Sequence, residues 1–502
     1  MPLARAINLQ DRPCGNNGLV AIPQNPAPSR IELTSEDRSA LGQAALAWAL
    51  KYFHEQSGLR VYPTVSAKAI SSQLAGALPI DPQDPAKIMA DVQLVADSSR
   101  HNGHPRMFGY VQSSASFAGV MGDLLASALN QNVTSWRSAP AATTIEHQVI
   151  EWLKELVGFG PRGIGVLMSG GSLANFAGLA VALRASTGVD LNQHGVAALP
   201  GRPRIYTSAM THMSIGKAAS MLGVGKDAIV AVPVNAAFQM DVAALSSQID
   251  ADRAAGCHAV CVVATAGDVN TGAIDPLDAI ADVCARHRIW LHVDGSYGAL
   301  AAKSVYVGGG MQALDRADSM SLDPHKWLYA PTDTGCLLVR DATALQRAFS
   351  TGAGYIDVIA DRDMSEFAYW DHSPELSRRF RALKIWFLLK VHGARAIQEA
   401  IDGNIEVARH LATAVERSAD FELMAPAPLS IVCFRYRKGD DDFNKRLMVE
   451  VQRDGDSYLS NATINGRFAL RACVVNYRTR QSDADRLLDS IRRVAARMTG
   501  AV

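Results

Sequence analysis

Short apolar runs, polar or glycine-bearing turns and longer amphipathic stretches follow one another through the middle of this chain. The runs at 164–168, 204–208, 228–234, 259–264, 289–293 and 319–322 have strand length, and those at 164–168, 228–234 and 259–264 are rich in Val, Ile, Ala or Leu. Between some of them lie helix-like stretches, the clearest at 173–183 and 276–286. Strands that read as continuous apolar runs, separated by helices, predict an α/β fold with a mainly parallel sheet covered on both faces.

The two ends of the chain have different patterns. Residues up to about 30 are rich in Pro, Asn and Gly and lack apolar periodicity, so an extended arm is expected. A helix should start after Thr34 or Ser35, with Glu36 and Asp37 favourably placed in its first turn. Leu41, Ala45, Trp48, Ala49 and Tyr52 give it an apolar stripe of the kind that packs on a partner subunit. Past residue 378, an amphipathic helix at 379–392 meets a stop at Gly393. Strands at 429–435 and 468–475 and a closing helix from Ser482 then suggest a small α+β unit. The expected division is an N-terminal arm and helical dimerisation segment at 1–117, a large α/β domain at 118–393 and a small α+β domain at 394–502.

Composition narrows the functional classes. With 502 residues, 48% of them hydrophobic, the chain can bury a large core. Basic and acidic residues balance at 49 each, so no global field exists to hold nucleic acid or an anionic membrane surface. Residues 1–10 lack the apolar stretch of a signal peptide, and the apolar runs are too short to cross a bilayer, which points to a cytoplasmic protein. The seven cysteines form no C-x-x-C pair and no zinc-spaced array, so reduced thiols and no metal are expected.

The chemistry concentrates at strand ends. Lys326 follows a strand in Ser-Leu-Asp-Pro-His-Lys-Trp-Leu-Tyr, and Asp294 closes the earlier run Ile-Trp-Leu-His-Val-Asp. An amine and a carboxylate so placed suit a pyridoxal phosphate enzyme, one for the cofactor's aldehyde and the other for its ring nitrogen. Asp294 could equally cap the segment after it. Gly170-Gly171-Ser172 would present backbone amides and a hydroxyl at a helix N-terminus, where phosphate is favoured, though such turns are common in α/β proteins. His212 follows another strand end and could stack on a cofactor ring or serve as an ordinary hydrogen-bonded residue. Ser214 and Lys217 match S-x-x-K formally, but without its partner motifs Lys217 reads as solvated surface.

Taken together and in order, these features resemble the group II pyridoxal phosphate-dependent amino-acid decarboxylases, the family of aromatic L-amino-acid decarboxylases. Further matching stretches are His-Pro-Arg-Met-Phe-Gly from residue 104, Ser-Ala-Pro-Ala-Ala-Thr-Thr-Ile-Glu from 138, Asn-Thr-Gly-Ala-Ile-Asp from 270, Ser-Arg-Arg-Phe-Arg-Ala-Leu-Lys-Ile-Trp from 377 and Asn-Gly-Arg-Phe-Ala-Leu-Arg-Ala-Cys from 465. The resemblance implies a fold-type I homodimer with a seven-stranded sheet and an active site between subunits. It assigns Lys326 to the cofactor's aldehyde, Asp294 to the pyridine nitrogen, His212 above the ring and Ser296 beneath it. Gly171, Ser172 and His325 would surround the phosphate, and Tyr355 would be the loop tyrosine that returns a proton to Cα.

Some positions depart from the family's pattern. Asp323 stands where animal aromatic decarboxylases carry Asn near the phosphate, so it should point elsewhere or pair with a cation. Asp268 replaces a Thr. Val111, Gln112, Asn132 and Thr134 replace bulky apolar residues, which suits a smaller or more polar substrate side chain. The expected reaction is decarboxylation of an L-amino acid, aromatic by the family's habit. Acidic or diamino substrates, an aldehyde synthase, an aminotransferase and a non-catalytic binding homologue are the alternatives.

Overall fold

The computed structural model describes residues 31–350 and 367–500. Its larger sheet holds seven strands: β2 (Ile164–Met168), β3 (Pro203–Ser208), β4 (Ile229–Val232), β5 (His258–Thr265), β6 (Trp290–Asp294), β7 (Ser319–Leu322) and β8 (Gly335–Val339). Their order is β2-β8-β7-β6-β5-β3-β4. From β7 through β6, β5 and β3 to β4 all pairings are parallel, and β8 runs antiparallel to both β2 and β7. The expected mainly parallel seven-stranded α/β sheet is therefore present.

Helices on both faces complete the burial that the apolar runs require. Gly171–Ala185 covers one face, burying Ala174, Ala177, Leu179, Val181 and Leu183. Leu277–His287 turns Leu277, Ile280, Ala281, Val283 and Cys284 inward. The run expected to continue to residue 234 ends at Val232, because Pro233 has no N–H to give to the ladder. Val234 makes only an isolated bridge to Met240.

Beyond the sheet, helix Ala382–Arg417 is interrupted at Gly393, whose φ of 75° is open to glycine and costly for other residues. The stop read at Gly393 is thus a break, after which a second helix continues. A smaller sheet holds β1 (Met107–Phe108), β9 (Phe421–Leu423), β10 (Ile431–Tyr436), β11 (Tyr458–Ile464) and β12 (Arg467–Cys473), in the order β1-β11-β12-β10-β9. Helix Gln481–Thr499 packs Leu487, Leu488, Ile491 and Val494 into its core. β1 enters from the N-terminal segment and pairs parallel with β11, a join that two residues are too short to announce by periodicity.

Near the N-terminus, Thr34 caps helix Ser35–Glu55 by accepting a hydrogen bond from the Asp37 amide at 3.1 Å. No residue of that helix is buried, and Leu41, Leu46 and Leu50 are exposed. Two of the sequence motifs meet in the core. Arg378 forms a fully buried ion pair with Glu146 and donates to the carbonyls of Val133 at 2.9 Å and Leu167 at 2.7 Å. That pair fixes helix Pro140–Val157 against β2.

Candidate active site

The C-terminal ends of the parallel strands open into a cavity of about 410 Å³, where open α/β sheets place their ligands. Lys326, Asp294, His212, Gly171, Ser172, Ser296 and His325 all line it. Tyr355 lies outside the described residues.

Asp294 ends β6 and is buried. It accepts from Asn175 Nδ2 at 2.9 Å, Ser321 Oγ at 3.0 Å and the Ser296 amide at 3.2 Å. Burial by itself would raise the carboxyl. The charge of Lys326 and the surrounding donors outweigh burial and hold it below the usual carboxylate range. A permanent negative charge at the floor of the cavity suits a protonated ring nitrogen. Ser296 Oγ lies 3.0 Å from Ser321 Oγ, beside this group.

Lys326 stands in a short helix, Pro324–Trp327, whose proline at the first turn needs no hydrogen-bond partner. The turn is clamped from several sides. Ser113 Oγ donates to the His325 carbonyl at 2.8 Å, and the Ser116 amide donates to the Tyr329 carbonyl at 2.8 Å. Trp327 and Tyr329 both donate to Asn404 Oδ1, at 3.1 and 3.0 Å. The Lys326 ammonium itself lies 3.0 Å from Asp323 Oδ2. Asp323 therefore pairs with a cation, as expected, yet it points into the cavity and not away from it.

At the opposite wall, Gly170 precedes helix Gly171–Ala185 and supplies no side-chain cap, so the first amides of the helix face the cavity. A Cβ on Gly171 would stand 2.4 Å from Ser296 Oγ and 2.7 Å from Asp323 Oδ2, which only glycine avoids. His325 Nδ1 is 2.6 Å from the Thr334 carbonyl, so that nitrogen carries the proton. The buried atoms Asp323 Oδ1 and Thr265 Oγ1, both on cavity-lining residues, have no hydrogen-bond partner. An open helix N-terminus, unpaired polar atoms, a nearby amine and a buried carboxylate together fit pyridoxal phosphate.

His212 caps the helix Met213–Met221 and accepts at Nδ1 from the Ser214 amide at 3.2 Å. Its proton is therefore on Nε2. Burial lowers its pKa, against the opposing pull of Asp294, so the ring is neutral at neutral pH.

Asn175, Ser321 and Thr265 also shape the site and went unnoticed in the sequence, and Ser214, noted there only for its formal S-x-x-K match, joins them. The visible signal was Asn175 itself, a polar residue on the buried face of an Ala- and Leu-rich helix. Asp268 instead orders its own turn, accepting from the amides of Asn270 at 2.7 Å, Thr271 at 3.1 Å and Ala273 at 2.9 Å. Of the four substituted pocket positions, Val111 lines the cavity. Gln112 accepts from Arg100 at 2.8 Å, Asn132 from the Arg378 amide at 2.9 Å, and Thr134 Oγ1 lies 2.8 Å from Ser138 Oγ. Lys217 is exposed, as its motif reading implied.

Among the described residues no helix is long and apolar enough to cross a membrane. The family model of the pyridoxal-dependent decarboxylase conserved domain matches residues 68–437. An aromatic-L-amino-acid decarboxylase of Bacillus atrophaeus is 33% identical over 473 residues, covering 93% of this chain and 97% of that protein. Tryptophan decarboxylase 1 of Oryza sativa subsp. japonica is 28% identical, covering 90% and 93%. Among solved structures, Oryza sativa TDC with PLP and tryptamine superposes with a TM-score of 0.85 at 27% identity, covering 93% of this chain and 99% of that one. Mouse CSAD gives 0.86 at 26%, covering 92% and 99%. The chain belongs to the pyridoxal-dependent decarboxylase family and is an amino-acid decarboxylase that uses pyridoxal phosphate.

Proposed function

We propose that this enzyme converts an aromatic L-amino acid to its amine and carbon dioxide, with the cavity between Lys326 and Asp294 as the place of reaction. The observation that carries the assignment is the convergence of the Lys326 amine, the ionised buried carboxylate of Asp294 and the neutral imidazole of His212 on a single cavity. The similarity to aromatic and tryptophan decarboxylases supports the aromatic class.

Bound pyridoxal phosphate supplies an electron sink for the pair left when the bond between Cα and the carboxylate breaks. Lys326 is the amine that would hold the cofactor's aldehyde carbon. The Gly171 and Ser172 amides, the Ser172 hydroxyl and His325 hold the phosphate. Asp294 keeps the ring nitrogen protonated, since a carboxylate fed by three donors stays ionised in a buried setting. His212 would cover one face of the ring and Ser296 would lie against the other. Tyr355 is assigned the return of a proton to Cα on the resemblance alone, with His212 assisting.

The working unit is proposed to be a homodimer whose active site lies between subunits. Leu78 and Ile80 are 80% and 84% exposed, and Leu41, Leu46 and Leu50 lie open on the first helix. Apolar surface on that scale suits burial against a second copy. The six free cysteines of the described region support a reducing, cytoplasmic setting.

The test is a panel of aromatic, acidic and diamino L-amino acids incubated with cofactor-loaded protein, following carbon dioxide and amine together. Equimolar carbon dioxide and amine from an aromatic substrate is the expected result. Ammonia and peroxide with aldehyde would make the enzyme an aldehyde synthase, and turnover confined to acidic or diamino substrates would refute the aromatic assignment.

A further inference from the structure

β6 carries Trp290, His292 and Asp294 on one face, because alternate residues of a strand point the same way. The neighbouring strand β7 pairs Ser319 with His292 and Ser321 with Asp294. The result is a polar stripe across the middle of the sheet. Helix Gly171–Ala185 lies over it and turns Gly171, Asn175 and Gly178 toward it, at spacings of four and three residues.

Hydrogen bonds join the stripe end to end. Trp290 Nε1 donates to Ser319 Oγ at 2.8 Å. Ser319 Oγ lies 2.8 Å from His292 Nδ1, and His292 Nε2 lies 3.0 Å from Asn175 Oδ1. The Asn175 amide nitrogen reaches Asp294 Oδ2 at 2.9 Å and Ser214 Oγ at 3.0 Å, and Ser214 Oγ lies 2.8 Å from His212 Nδ1.

The direction of donation is fixed from both ends. An indole N–H only donates, so the Ser319 hydroxyl accepts there and has its proton free for His292 Nδ1. At the other end an ionised carboxylate only accepts, so Asn175 must present its nitrogen to Asp294 and its oxygen to His292. Both requirements put the His292 proton on Nε2 and leave Nδ1 bare. The same turn of the Asn175 amide makes Ser214 Oγ an acceptor from it and a donor to His212 Nδ1. That agrees with the Ser214 amide, which also points at His212 Nδ1.

Resting on the assignment of Asp294 and His212 to the cofactor ring, we propose that His292 is a positioning residue which, through Asn175, sets the charge of Asp294 and the tautomer of His212 together. Two features of the helix are consistent with a place kept for this imidazole. Gly178 sits in mid-helix, where glycine is less favourable than alanine, and a Cβ there would stand 2.5 Å from His292 Cε1. His292 is completely buried, and burial lowers its pKa to about 4, so the neutral form that the chain of bonds requires is the one present.

The experiment compares His292→Gln, which retains a donor near the Nε2 position, with His292→Met, which is close in shape and has none. In the cofactor-loaded protein, His292→Met should lower kcat about ten- to a hundredfold, as expected for losing support of a hydrogen bond to a charged group. KM should change little, and the 15N resonance of the bound cofactor's ring nitrogen should move toward the unprotonated form. His292→Gln should recover most of both. Equal behaviour of the two variants in kcat and in the 15N resonance would overturn the proposal. Should His292→Met not fold, 15N spectra of histidine-labelled wild-type protein without cofactor decide the matter. They should show protonated Nε2 and bare Nδ1 at both His292 and His212, and a proton on Nδ1 of either would overturn it. Absence of cofactor binding or turnover in wild type would instead count against the assignment of the site.

Discussion

Two buried carboxylates face the same cavity and are treated in opposite ways by the chain around them. Asp294 receives three hydrogen bonds, from an amide side chain, a hydroxyl and a backbone N–H. Asp323 has one oxygen against the Lys326 ammonium at 3.0 Å and the other without any partner. The first has a charge fixed by the scaffold, so it is ready to act on a ring nitrogen. The second depends on a neighbour that must let go of it when Lys326 takes up the cofactor's aldehyde. Residue type does not set the role of a carboxylate here; the donors around it do.

Asp294→Asn attacks the fixed member and should have the largest effect. With no negative charge to hold the ring nitrogen protonated, kcat should fall by about 10²–10³, the range found on removing one preorganised electrostatic partner. Steady-state kinetics on the best substrate of the panel is the check, and a loss under about fivefold would contradict the role.

Asp323→Asn should act in the other direction. In the cofactor-free protein it removes the ion pair that occupies Lys326, and in the loaded protein it removes a negative charge beside the phosphate. Both changes favour binding, so the Kd for pyridoxal phosphate should fall about tenfold, which is about 1.4 kcal/mol. Fluorescence titration measures it; a weaker Kd would show that the carboxylate helps to hold the phosphate.

A third effect falls on stability in acid. His104 and His292 are buried and held down to about 4, whereas in the unfolded chain they take up protons below about 6.5. Their contribution is complete above the unfolded value and is lost as pH falls from about 6.5 toward 4. Asp275, raised by burial to about 6, works in the opposite sense, its contribution being lost as pH rises toward that value. Urea unfolding should therefore show stability declining below pH 6.5, and His292→Gln should flatten that decline by about 1.4 kcal/mol per pH unit. An unchanged slope would mean that His292 is not held neutral by the fold.

The same contrast explains what the sequence made legible. Strand runs such as 259–264 were readable because burial on both faces leaves an unbroken apolar record. Lys326 and Asp294 stood out because charge at the end of such a run is chemically conspicuous. β8 was missed, since only the four-residue helix Pro324–Trp327 separates it from β7 and its antiparallel insertion between β2 and β7 breaks the alternation. The supports of Asp294 were missed for another reason. Asn175 and Ser321 come from a helix and a strand far from it in the chain, and only the β6–β7 register and the packing of helix Gly171–Ala185 bring them together. Asp323 was read as pointing elsewhere or pairing with a cation, and it pairs with Lys326: the need of a cation follows from charge, whereas its direction depends on the Pro324–Trp327 turn, which no periodicity records.

Borohydride reduction of the cofactor-loaded enzyme, followed by peptide mass spectrometry, tests the central claim most directly. One pyridoxyl group per chain, carried by the peptide containing Lys326 and absent from Lys326→Ala, is the predicted result. A pyridoxyl group on another lysine, or decarboxylation persisting in Lys326→Ala, would contradict it.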